Sequence, residues 1–155
     1  MHPMLAPLRL AALALLAAVS LSCAASTVQV APFPDTASAP AADRSRVYVA
    51  RATQFTGRVR RIEIVVSDQV VGELGEAGYL CFDLPAGRSM VQAFFKGSVI
   101  DGKPVEAVFN FEGQGGETYY FELQLDRASK KAQARALDAE AGEALMANRK
   151  APSIR

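Results

Sequence analysis

The sequence predicts a mainly β fold: a small antiparallel β-sandwich of about seven or eight short strands, with a short C-terminal helix. Two observations predict it. Apolar residues alternate with polar ones in a series of short segments roughly 8–14 residues apart, each bounded by turn-forming residues. Only the tail changes period, to the spacing of a helix. A third observation sets this domain apart from the start of the chain, where a run of Ala, Leu, Val and Ser fills residues 10–21.

Taken in order, Val47 and Val49 alternate with Tyr48 and Ala50, and Ile62, Ile64 and Val66 alternate with Glu63 and Val65. Ser67-Asp68-Gln69 breaks that run, and residues 71–74 follow closely enough to pair back as a hairpin. Leu80, Phe82 and Leu84 share one face of the next strand, with Tyr79, Cys81 and Asp83 on the other. Pro85-Ala86-Gly87 makes a turn, because Pro presets its own φ and Gly accepts a positive one. Val91, Ala93 and Phe95 then point to the core, as do Val105, Ala107, Phe109 and Phe111. The run Gly113-Gln114-Gly115-Gly116 is expected to be a hairpin turn into Tyr119, Phe121, Leu123 and Leu125. Residues 131–137 are the last candidate strand. Leu137, Ala141, Ala144, Leu145 and Asn148 line one side of a helix, with Asp138 and Glu140 at its start and Arg149 and Lys150 at its end, as the helix dipole favours.

The segment before the domain reads as an export signal. Arg9 precedes the apolar run, which has the length of a signal-peptide core, whereas a membrane-spanning helix needs ~20 residues. The run ends in Ser20-Leu21-Ser22-Cys23, small residues before a cysteine. That arrangement suits attachment of diacylglycerol, with acyl chains such as palmitate, to the Cys23 thiol, followed by cleavage of the chain just before Cys23. The alternative is an ordinary signal peptide cut near Ala24-Ala25-Ser26. The expected organisation is a signal peptide at 1–22, a lipid anchor and flexible tether at 23–45, the β-domain at 46–150 and a tail at 151–155. Pro32, Pro34 and Pro40 give the tether no helical or strand period. Fully extended, its ~20 residues reach ~60–70 Å.

Charge and composition narrow the chemistry. The chain has 17 basic and 16 acidic residues, and loss of Arg9 with the leader balances the signs. A neutral surface gives nucleic-acid binding no basis, since that needs phosphate-neutralising cations. The single histidine, His2, lies in the leader, so catalysis through histidine, His-ligated zinc and a histidine pH switch lack their residue. No catalytic residue, metal site or cofactor is expected. Cys81, without a histidine or free partner cysteine, reads as a small packing residue, and no structural disulfide is expected.

Glu73, Glu76, Asp83, Glu106, Glu112, Glu117 and Glu122 are the carboxylates a hydrolase would draw on, though strand carboxylates mostly face water. Asp101-Gly102-Lys103 is a turn, with too few oxygen ligands for calcium. The glycine run joins two strand patterns, unlike a phosphate loop, which opens a helix. Gly57-Arg58-Val59-Arg60-Arg61 is basic enough to touch anionic headgroups, or to serve as a solvated edge that resists aggregation. Tyr48, Tyr79, Phe94 and Tyr120 fall opposite the core positions. They are candidates for a binding platform if they converge, or for burial beneath the C-terminal helix.

These segments resemble a family of bacterial lipoproteins known as domain of unknown function 2846. The likeness runs from Val47 to about Asn148. It is carried by Arg46-Val47-Tyr48-Val49, Val71-Gly72-Glu73-Leu74, Gly78-Tyr79-Leu80 leading into Phe82-Asp83-Leu84-Pro85-Ala86-Gly87-Arg88, and Gly116-Glu117-Thr118-Tyr119-Tyr120. The resemblance implies a lipid anchor and a sandwich-like fold, and no activity. The expected function is therefore a non-catalytic envelope lipoprotein that binds or supports another envelope component, with an envelope protein as the expected partner. A glycan- or peptidoglycan-binding module is the alternative, and a carboxylate-dependent hydrolase comes last. Ala24 stands where an Asp commonly retains lipoproteins at the inner membrane, which favours the outer membrane, facing the periplasm.

Overall fold

The computed structural model describes residues 31–32, 36–52, 61–100, 102–126 and 131–149. These form β1 (Ala31–Pro32), β2 (Arg44–Arg51), β3 (Arg61–Val66), β4 (Gln69–Leu74), β5 (Tyr79–Pro85), β6 (Gly87–Ile100), β7 (Lys103–Gly113), β8 (Thr118–Asp126), β9 (Lys131–Leu137) and α1 (Ala139–Ala147). The strands make two sheets, one of order β1-β5-β2-β8-β9 and one of order β4-β3-β6-β7. The fold is mainly β and sandwich-like, with one short C-terminal helix.

Alternation decides which side chains fill the space between the sheets. Val47, Val49, Leu80, Phe82, Leu84, Phe121 and Leu123 come from the five-stranded sheet, and Ile62, Ile64, Val66, Leu74, Val91, Ala93, Phe95, Val105 and Ala107 from the other. Where β7 lies beside β8 and β9, the filling is aromatic. Phe109 and Phe111 of one sheet meet Phe121 of the other at 4.6 and 5.4 Å between ring centres, and Phe111 also meets Tyr119 at 5.3 Å. Ala132 and Ala134 of β9 also pack against this core, small enough to admit the rings.

Connections depart from the sequence expectation in four places. The pair β2 and β8 runs parallel, in register from Arg46 opposite Thr118 to Arg51 opposite Leu123, where antiparallel pairing was expected throughout. Residues 114–117 are not a hairpin turn, because β7 and β8 belong to different sheets; this loop carries the chain across the sandwich. The strand β1 lies inside the segment expected to be a structureless tether, pairing Ala31 with Asp83 and Pro32 with Phe82. The residues before β2 are also fixed: Pro40 is buried, Gly116 N–H donates to Ala41 O, and Ala86 N–H donates to Asp43 O at 2.9 Å. Finally, α1 turns a different side inward. Gly142 is its buried residue, while Ala141 and Ala144 are exposed.

The β3–β4 hairpin is as expected, and its turn type is now defined. Ser67 and Asp68 both have positive φ, 47° and 63°, between the paired residues Val66 and Gln69. This is the turn sense that matches strand twist. The pairs Val99 with Pro104 and Ile100 with Lys103 extend the β6–β7 pairing past a register shift between Phe94 and Val99. Of the basic cluster, Arg61 alone lies among the described residues, where it pairs with Glu73 at 2.9 Å.

Candidate functional site

Functional interest concentrates on the outer face of the five-stranded sheet, where three rows cross the strands. Asp83, Arg46 and Thr118 form one row; Cys81, Tyr48, Tyr120 and Leu137 the next; Tyr79, Ala50, Glu122 and Arg135 the third. The period of two puts these side chains on one face, and the parallel β2–β8 pairing sets Tyr48 directly beside Tyr120. Their rings stack at 5.1 Å with 14° between planes, and Tyr79 joins diagonally at 6.0 Å and 40° from Tyr48.

Charges flank the tyrosines on both sides. Arg46 and Asp83, 5% and 7% exposed, form a bidentate pair, Nε to Oδ1 at 2.9 Å and Nη2 to Oδ2 at 3.1 Å. The remaining Arg46 nitrogen, Nη1, donates to Ser38 O at 2.6 Å. The hydrogen bond to Asp83 raises the Arg46 pKa further above its ordinary value. On the other side, Glu122 accepts from Arg135 and from Gln124, each at 2.8 Å.

Cys81 sits beneath this face, opposite Tyr48. Burial pushes its thiol up to about 11, against the lowering effect of the hydrogen bond it receives from Tyr48. Burial, and then that same bond, raises the Tyr48 hydroxyl as well. A thiol so strongly held in its neutral form is a poor nucleophile at neutral pH.

The helix α1 packs beside the tyrosines against β8 and β9. Gly142 rests on the Tyr120 ring, where any Cβ would collide with it. The expected apolar stripe of Leu137, Ala141, Ala144, Leu145 and Asn148 does not seal the helix to the sheet. Together with Glu122, Arg135 and Arg149 it lines an open groove of about 390 Å³.

The four aromatic candidates are thus divided. Tyr48, Tyr79 and Tyr120 converge, with Tyr120 under α1 and Tyr48 and Tyr79 half-buried beside it. Phe94 does not join them, because β6 belongs to the other sheet, where Phe94 stands between Glu63 and Glu106. Cys23 lies outside the described residues. The Arg46–Asp83 pair was not singled out from the sequence, although its two residues stand on the strand faces opposite the core; the signal missing was the pairing of β2 with β5. Of the carboxylates, Asp83 and Glu122 are held as described, and Glu73 is bound by Arg61 and Lys96. Both cations, Lys96 first, lower its pKa.

No family model, curated protein or solved structure matches this chain.

Proposed function

We propose that the chain is a non-catalytic envelope lipoprotein, anchored through Cys23 in the outer membrane and facing the periplasm. Its β-domain binds or supports another envelope component, foremost a protein. Membership of the lipoprotein family it resembles is part of this proposal. The address draws on the apolar run at 10–21 and the small residues before Cys23. The binding role draws on one observation, the cluster of Tyr48, Tyr79 and Tyr120. Tyrosine gives a large apolar contact area with a polar tip at little entropic cost, which suits a recognition face.

Crosslinking in intact cells with a tagged copy tests it. One dominant envelope protein is expected, weakened by Cys23→Ser and by Tyr79→Ala. If no protein is captured, the partner reading fails. The same tyrosines favour a glycan as the second reading, because a sugar ring stacks on an aromatic face. Retention on peptidoglycan or another envelope glycan, lost in Tyr79→Ala, would then decide for it.

A further inference from the structure

We infer that the end of the sandwich carrying residues 85–87 and 114–117 is held close to the bilayer that bears the lipid anchor. This rests on the anchoring of Cys23 proposed above. Read as a tether, residues 23–45 would let the domain roam tens of ångströms. The structure shortens that leash, because the chain is already hydrogen-bonded to β5 at Ala31. From Cys23 to Ala31 are eight residue steps, which reach at most ~30 Å whatever conformation they take.

The direction of entry decides which end is near. Ala31 pairs with Asp83 and Pro32 with Phe82, so β1 itself runs away from the Pro85 side of β5, and its N-terminal end faces that side. Residues 36–45 are fastened at the same end. Arg46 holds Ser38 O, Ala86 N–H binds Asp43 O, and Gly116 N–H binds both Ala41 O and Arg44 O. Gly115 lies so close to Ala42 that a Cβ there would overlap its carbonyl. The opposite end, with the 75–78 connection, lies beyond Tyr79, four residues or ~13 Å further along β5 than Asp83.

Asp43, Arg88, Glu112 and Glu117 are exposed at or near the anchored end and are mixed in sign. Covalent reach therefore sets the orientation, against any pull of anionic headgroups on the exposed Arg61 at the opposite end, so salt should not weaken it. Tyr48, level with Cys81, stands only two residues along β5 from Asp83. The tyrosine cluster is thus within roughly 40 Å of the bilayer. A partner bound there meets the domain within that distance of the membrane.

The test uses the full chain made in a lipoprotein-processing host, with acylation of Cys23 established by mass spectrometry. The protein is reconstituted in phosphatidylethanolamine–phosphatidylglycerol vesicles containing a headgroup-labelled energy acceptor. A donor dye is placed at Gln114→Cys or at Glu76→Cys; Cys81, 2% exposed, stays unlabelled. Transfer should be stronger from position 114, not weakened in high salt, and at least halved by roughly 20 Gly/Ser residues inserted after residue 24. Equal transfer from both positions, stronger transfer from position 76, or indifference to the insertion overturns the orientation in an acylated protein. An unacylated Cys23 overturns the anchor, and the orientation with it.

Discussion

Arg46 and Asp83 are paired charges almost wholly withdrawn from water, so their value depends on both being present. Removing one leaves the other buried and uncompensated, at a typical cost of about 3–5 kcal/mol. Asp83→Ala should therefore lower the urea midpoint sharply. The double change Arg46→Met with Asp83→Leu should recover most of the loss; equal losses in single and double variants would mean that the pair's neighbours, not its charge, matter. Cys81 and Tyr48 give a pH dependence of definite sign. Both are acids whose folded-state pKa is raised, Cys81 from 9.0 to about 11. Below pH 9 their burial adds no pH dependence. Above it the unfolded chain sheds the Cys81 proton that the folded chain retains, so stability falls as pH rises from about 9 to 11, by up to ~1.4 kcal/mol per pH unit, and Tyr48, whose ordinary value is 10.0, adds to the fall only above about pH 10. Denaturation at pH 8, 9 and 10 should show the decline, and Cys81→Ala should flatten it.

At the scale of elements, α1 and the β3–β4 hairpin make opposite demands. Glycine ordinarily weakens a helix by about 1 kcal/mol relative to alanine. At position 142 the sign reverses, because the Tyr120 ring occupies the place of the Cβ. Gly142→Ala is expected to destabilise the fold by about 1–3 kcal/mol and to expose α1 to proteolysis. An unchanged melting temperature would show that the helix is not seated on the ring. In the hairpin, Ser67 and Asp68 occupy left-handed backbone that Asn-Gly adopts with less strain. Ser67→Asn with Asp68→Gly should stabilise by a few tenths to about 1 kcal/mol in the same assay. Both elements were legible in the sequence, one from its period and the other from a break between two alternating runs. The face of α1 was not, because Gly142 contributes nothing to an apolar stripe and yet is the residue that makes contact.

For the whole molecule, local period and global pairing carry different information. Alternation places Tyr48, Tyr79 and Tyr120 away from the core, and the structure agrees; it places Phe94 there equally well, but cannot say that β6 belongs to the other sheet. The parallel contact between β2 and β8 joins segments about 70 residues apart with no local mark on either. The strand β1 has only two residues, one of them proline, too few to show a period. The consequence is a domain boundary earlier than position 46. A chain beginning at Arg46 loses β1, the first two residues of β2 and the burial of Pro40, with hydrogen bonds that include Arg46 to Ser38, Ala86 to Asp43, and Gly116 to Ala41 and Arg44. At about 0.5–1.5 kcal/mol each, these bonds alone sum to roughly 2–6 kcal/mol, a large share of a small domain's stability. The chain starting at Ala31 should therefore unfold cooperatively at a clearly higher urea concentration than the one starting at Arg46. Equal midpoints would return residues 31–45 to the role of a passive tether.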